Sequence, residues 1–132
     1  MTIVSEAVVQ SSDTVSTETV RDVIIAALRK IVGIAETPDA DQTDFALEAL
    51  NDMLAEWRVS GADMGLTLPV ALTDTLAVQD EYILGIKANL TLALCDDFDR
   101  EVTPTLARRA AAGLLRIKTS LLPDERVQVV YY

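Results

Sequence analysis

The stretch ETPDADQTDFALEALNDMLAEWRVSG, residues 36–61, constrains this chain most, because it carries a helix start, an amphipathic body and a helix stop without a break. Thr37 can accept a backbone hydrogen bond as N-cap, and Pro38 suits the first helical position. Asp39, Asp41 and Asp44 set negative charge against the positive end of the helix dipole. Downstream, Phe45, Ala46, Ala49, Leu50, Met53, Leu54 and Trp57 recur at steps of three and four residues, so one face is apolar. Glu48, Asn51, Asp52 and Glu56 fall on the other face. Arg58 complements the negative helix end, and Gly61 can release the chain in a left-handed turn. Phe45, Leu50, Leu54 and Trp57 are therefore expected to hold the fold together.

With 132 residues, one domain with a real hydrophobic core is the working unit. Half of the residues are apolar but only 5% are aromatic, a balance that favours helices packed through aliphatic side chains over a β-sandwich. No apolar run reaches the roughly 18 to 20 residues of a membrane span, and no basic, signal-like segment opens the chain, so we expect a soluble, unexported protein. A formal charge of −10 argues against wrapping duplex DNA, which depends on cations displacing counterions from phosphates. Solubility is the plain reason for such a charge; a surface lining a passage and repelling a phosphate backbone is the other. Cys95, the single cysteine, sits in LALCDDF and reads as a small buried side chain.

Residues 1–16 are rich in Ser, Thr and Val without a helical period, and read as a mobile arm. From Thr19, a capping-box variant with Asp22, the residues Val20, Val23, Ile24, Ala27, Leu28 and Ile31 give a first helix that Gly33 stops. After Gly61 the connection is long and punctuated by Gly65 and Pro69. Leu66, Leu68, Val70 and Leu72 alternate with Thr67, Pro69 and Ala71, which points to an extended or short hairpin segment with one apolar side. Such a segment either folds over the end of the helices or protrudes to a neighbouring subunit. Residues 80–97 form the most apolar helix, a central one: Ile83, Ile86, Leu90, Ala93 and Leu94 make one stripe and Leu84, Ala88 and Leu92 a second, leaving Lys87, Asn89 and Thr91 to water. Gly85 weakens that helix by roughly 1 kcal/mol relative to alanine, a cost understandable if another backbone approaches there. Thr103 and Pro104 open a fourth helix through Leu106, Ala107, Ala110, Ala111, Leu114, Ile117 and Leu121, with Pro123 at or after its end.

Arg108, Arg109, Arg116 and Lys118 make this last helix the one basic segment of an acidic protein. It is a merely solvated face or the surface that meets an acidic one, including that of another copy. The segment RVQVVYY, residues 126–132, is rich in β-branched and aromatic residues. Left exposed it would be a liability, so it either tucks back or adds as a strand or anchor to another protein, and we read Arg126, Val127, Val129, Val130, Tyr131 and Tyr132 as a contact with a partner or neighbouring subunit.

The chain has no histidine, which removes the usual general base and the commonest metal ligand. Asp96, Asp97, Asp99 and Glu101 cluster after the third helix, but carboxylates on a solvated turn are commoner than a cation site. The run DADQTDFALE lacks the central glycine and the terminal glutamate of a calcium loop. Two suitably separated carboxylates suffice for glycoside cleavage, yet nothing singles out a pair among 21 acidic residues. Glycine-rich phosphate loops are absent. No catalytic residue, metal or cofactor is assigned.

Taken in order, ALRKIVGIAETPDADQTDFALEALNDMLAEWRVSG, LTLPVALTDTLAVQDEYILGIKANLTLAL and VTPTLARRAAAGLLRIK resemble the head-to-tail adaptor, or connector, family of tailed bacteriophages, also called tail accessory or head completion proteins. The likeness spans residues 20–118 and is carried by residues 33–38, by LNDMLAEW at 50–57, by LTLP at 66–69 and by the helix beginning near Asp80. It implies a structural virion protein that docks beneath the portal ring at the head-tail junction, usually in twelve copies, and extends the DNA channel toward the tail. The partners implied are the portal protein, neighbouring copies in a ring and a downstream tail or stopper protein, with DNA passing through without sequence-specific binding, no membrane, and assembly in the host cytoplasm. Termini and long loops commonly make the contacts in that family. For this chain that points to the residues of RVQVVYY for the portal or a neighbour, and to Leu66, Leu68, Val70, Leu72, Arg108, Arg109 and Arg116 for contacts between subunits. The expected fold is all-α: a four-helix bundle at residues 17–122 with a long extended loop between helices two and three, a flexible N-terminal arm at 1–16 and an extended C-terminal arm at 123–132. Two rival readings remain: a virion-associated cell-wall hydrolase working through one or two carboxylates, and a helical protein-interaction module with no affinity for portal.

Overall fold

The computed structural model describes residues 14–122. Among the described residues the fold is all-helical, with four helices in chain order: α1 (Val20–Val32), α2 (Ala40–Val59), α3 (Asp80–Asp97) and α4 (Pro104–Ser120). Among the described residues there is no strand, only isolated antiparallel bridges between Val15 and Gln79 and between Thr19 and Thr75. The expected arms beyond these limits lie outside the described residues.

Each helix begins where a side chain can satisfy its orphan amides, α3 excepted, whose Gln79 cap makes no side-chain bond. Thr19 and Asp22 close a reciprocal capping box on α1, and Gly33 ends that helix at φ 109°. The start of α2 differs from the expected one: its N-cap is Asp39, two residues beyond Thr37. The Asp39 carboxylate accepts from the Gln42 amide at 2.8 Å, and the Gln42 side chain accepts from the Asp39 amide at 3.0 Å. Three residues after Thr37 stands Ala40, which has no acceptor to return the bond, so only Asp39 can close the box. On α4 the Thr103 hydroxyl accepts from the Leu106 amide at 3.1 Å and Pro104 takes the first turn, as its sequence requires.

Helix α3 is the hub. It packs against α1, α2 and α4, whereas α4, among the described residues, packs on no helix but α3. Ile83, Ile86, Leu90 and Leu94 of α3 meet Val20, Val23, Ile24, Ala27 and Leu28 of α1 and Leu50 and Leu54 of α2 in one buried cluster. Fully burying each such aliphatic side chain is worth about 1.5–3 kcal/mol before entropy is charged against it. Trp57 closes the cluster at the end of α2. Phe45 does not join it: the side chain is 42% exposed and stands edge-on to Phe98, ring centres 5.9 Å apart. Nor does the second apolar stripe of α3 hold together, since Ala88 is buried but Leu84 is 67% exposed.

The three polar residues of α3 expected in water each find a protein partner. Lys87 pairs with Glu18 at 2.8 Å. Thr91 is buried and donates its hydroxyl to the Lys87 carbonyl at 2.8 Å. Asn89 donates to the Gly85 carbonyl at 2.8 Å and, across the helix gap, to the Ala110 carbonyl of α4 at 2.9 Å. That crossing is possible because the two backbones nearly touch. A Cβ placed on Gly113 would lie 2.6 Å from the Gly85 Cα, and one placed on Gly85 would lie 3.2 Å from the Gly113 carbonyl. The backbone approach expected at Gly85 is thus present, and its partner is a second glycine. The pairs Gly85 with Gly113 and Asn89 with Ala110 also make α3 and α4 antiparallel.

The connection from Ser60 to Gln79 runs over the body of the molecule. Ala62, Val70, Leu76 and Val78 are buried in the main cluster, and Leu66, Leu68 and Leu72 are packed against it. Asn51 holds the middle of this connection as a clasp: its side-chain carbonyl accepts from the Val70 amide at 2.7 Å and its side-chain amide donates to the Val70 carbonyl at 3.1 Å. Asn51, expected on the solvent face of its helix, is therefore a tether. The segment before α1 lies alongside the last part of the connection. Ser16 donates its amide to Val78, Leu76 to Glu18, Val20 to Asp74 and Asp80 to Thr14, at 2.8–3.2 Å. Ser16 is buried. The expected free arm through residue 16 is accordingly fixed from Thr14 onward, because these backbone groups pair rather than face water.

Candidate interaction surfaces

Among the described helices α4 packs only on α3, and most of its residues are exposed. Ala110 and Ile117 are its only buried residues, while Ala107 and Ala111, expected in the apolar stripe, are exposed. Leu115 is 65% exposed. Arg108, Arg109 and Arg116 are all exposed, as a solvated or partner-facing basic helix requires.

Arg109 and Arg116 stand seven residues apart on one face and form one wall of a groove of about 370 Å³ between α3 and α4. Its floor is made of small residues, Gly85, Ala88, Ala112 and Gly113; Leu84 supplies an apolar flank, and Lys30 and Lys87 bring positive charge from α1 and α3. Among the described residues Glu81 is the one carboxylate on it. A second groove of about 440 Å³ adjoins the first through Lys30 and Arg109 and adds Arg100 and Glu101. In a chain of net charge −10, this gathers five of the 11 basic residues onto one continuous face. Among the described residues the only ion pair is Lys87 with Glu18, so Lys30, Arg100, Arg109 and Arg116 carry no carboxylate partner there.

The opposite charge collects elsewhere. Asp41, Asp44, Glu48, Asp52 and Glu56 are exposed and recur every three or four residues along α2. Asp52 and Glu56, with Asp97 of α3, line a groove of about 390 Å³ between α2 and α3 that shares no residue with the basic face. Its floor includes Trp57 and Leu92.

Of the other residues singled out by sequence, Val70 is buried and Leu66, Leu68 and Leu72 are packed against the chain's own core, so the structure folds this connection inward. Arg126, Val127, Val129, Val130, Tyr131 and Tyr132 lie outside the described residues. Among the described residues no group of three acidic or cysteine side chains converges as a cation site; Asp96, Asp97, Asp99 and Glu101 do not gather. Cys95 is buried and unpaired in a disulfide. Asp22 is the one described carboxyl held clearly below its usual range, first by the Thr19 backbone N–H at 3.0 Å and then by the Thr19 hydroxyl, which makes it a capping group. Sequence reasoning missed Lys30 and Lys87 as companions of Arg109 and Arg116. They come from other helices, and only the packing of α1 and α4 on α3 joins them. The spacing of Arg109 and Arg116 around Gly113 was the visible signal. No described helix is long and apolar enough to cross a membrane.

Compared with family models and with curated proteins, the chain matches none.

Proposed function

We propose that this chain is a structural virion subunit, a head-to-tail adaptor that docks beneath the portal ring of a tailed bacteriophage and extends the DNA channel toward the tail. One observation carries the reading: an acidic chain that gathers unpaired cations in a groove beside an outlying helix, and carboxylates on a separate helix face, has two complementary surfaces for protein contacts. The family resemblance in the order of its segments supplies the setting. In this reading the architecture is a four-helix bundle with a long extended loop between helices two and three and extended terminal arms. Copies stand side by side in a ring of twelve, acidic surface repels the phosphate backbone of passing DNA, and the segment RVQVVYY seats the ring on portal. No catalytic residue or cofactor takes part.

The test is imaging of the full chain mixed with the portal of its own phage. Added ring density beneath portal supports the proposal, and bare portals beside unattached chains overturn it. Deleting residues 127–132 should abolish attachment; unchanged portal binding would remove that segment from the docking surface.

A further inference from the structure

The basic groove between α3 and α4 has an apolar, small-residue floor flanked by cations, which is the shape and charge that accept the outer face of an acidic helix. We infer that its occupant is α2 of a second copy of this chain, presenting the stripe Asp44, Glu48, Asp52 and Glu56. The inference rests on the reading of the chain as a ring subunit and names the surfaces by which neighbours join.

Charge and spacing both support this pairing. Arg109 and Arg116 are seven residues apart, about 10 Å along a helix, while Glu48 and Glu56, like Asp44 and Asp52, are eight apart, about 12 Å. Two cations can thus meet two carboxylates on helices laid side by side. Among the described residues no carboxylate of the stripe has an ion-pair partner, and neither Arg109, Arg116 nor Lys30 has one. Among the described residues, both surfaces, Lys87 apart, are without ion-pair partners. Lys87 is engaged by Glu18, so it contributes field to the groove more than a contact. Between the charges, the small floor residues and exposed Leu84 leave room for the side chains of the incoming helix. Exposed pairs of this kind contribute little energy singly and are screened by salt, so they set register and steer encounter while apolar contact supplies affinity.

The groove and the stripe share no residue and belong to different helices, and in the ring reading the contact is heterologous, head to tail. Each copy that offers its groove still has a free stripe, and the assembly grows until it closes as a ring or continues as a filament. A nucleic acid is the other conceivable occupant of a cationic groove. The net charge of −10 and the two carboxylates on the adjoining grooves, Glu81 and Glu101, favour the acidic helix.

The experiment uses the purified full-length chain without portal, so that its outcome is independent of docking. Sedimentation velocity across a protein and salt series should show association that weakens as salt rises. Arg109→Glu with Arg116→Glu, and separately Glu48→Lys with Glu56→Lys, should each weaken association by about 100-fold or more, because like charges then face each other. All four side chains are exposed, and circular dichroism should show the parent fold in both variants. Mixing the two variants places every reversed groove opposite a reversed stripe and should restore association with alternating copies. Failure of the mixture to associate overturns the inference, as does association of either variant alone at the parent level, or a parent chain that stays monomeric at low salt in chemical cross-linking. Salt-sensitive binding of duplex DNA that is lost with Arg109→Glu and Arg116→Glu would also overturn it, by assigning the groove to phosphate. If the mixture assembles but no form binds portal, the pairing stands and the adaptor reading falls.

Discussion

Replacing Gly113 by alanine sets two effects of opposite sign against each other, and the structure decides which prevails. By helix propensity alone the change stabilises α4 by about 1 kcal/mol. The new Cβ, however, would lie 2.6 Å from the Gly85 Cα, about 1 Å inside ordinary carbon contact. The new Cβ is fixed to its own backbone and meets backbone, so no rotamer change relieves the clash and the helices must part. Parting by about 1 Å stretches the Asn89 bond to the Ala110 carbonyl, 2.9 Å in the parent, beyond hydrogen-bonding range. Overpacking costs about 1–3 kcal/mol and the lost bond about 1 kcal/mol, so the net expectation is destabilisation by about 2 kcal/mol. The melting temperature should fall by roughly 6–10 °C for a domain of this size. Gly85→Ala is the internal comparison: its Cβ meets Gly113 at 3.2 Å, needs only a few tenths of an ångström, and should change stability by less than about 1 kcal/mol. Urea denaturation followed by circular dichroism measures both. Gly113→Ala as stable as the parent, or Gly85→Ala as damaging as Gly113→Ala, would refute the reasoning.

Asn51→Ala removes both partners of the Val70 backbone and should cost about 1–3 kcal/mol, with faster hydrogen exchange at the Val70 amide while the centre of α3 stays protected; unchanged exchange at Val70 would discount the clasp. Leu76→Ala empties a fully buried position contributed by the connection and should cost about 2–5 kcal/mol in chemical denaturation. A loss well below about 1 kcal/mol would mean that the connection adds little to the core. For Asp22, the folded pKa lies below the ordinary one, so its stabilisation is present above the usual carboxylate range and is lost as pH falls through the folded value. Thermal melts of Asp22→Asn should therefore trail the parent near neutral pH and converge with it below about pH 4; a gap that persists in acid would rule out the carboxylate as its cause.

Much of the helical framework was legible because its signals are local. Thr19 with Asp22, Gly33, Thr103 with Pro104 and the three- and four-residue periods act within a turn or two of chain, and each helix they announce is present. Gly85 was readable for a related reason: a costly residue inside a strong helix needs a tertiary cause. What stayed hidden depends on partners distant in sequence. Nothing near Asn51 says that Val70 will lie against it, and nothing near Asn89 reveals the Ala110 carbonyl. Leu84 and Phe45 follow the period of their helices yet lie at the margins of the packed faces, since periodicity gives a direction but not how far neighbours extend to cover it. The basic groove was half visible. Its arginines stand on one helix, whereas Lys30 and Lys87 join them only through packing on α3.

The antiparallel packing of α3 and α4, together with the bond between the Asp80 amide and the Thr14 carbonyl, fixes where the described fold is entered and left. Thr14 lies beside the first residue of α3, and the last turn of α4, leading to Leu122, returns to that same end. Both ends of the described fold therefore emerge at one pole. A label or fusion at either end would be carried near that pole, and dyes at residues 14 and 122 should report a short separation. The opposite pole, where α3 turns into α4 around Phe98, carries neither end of the described fold and suits attachment to a surface in an imaging experiment.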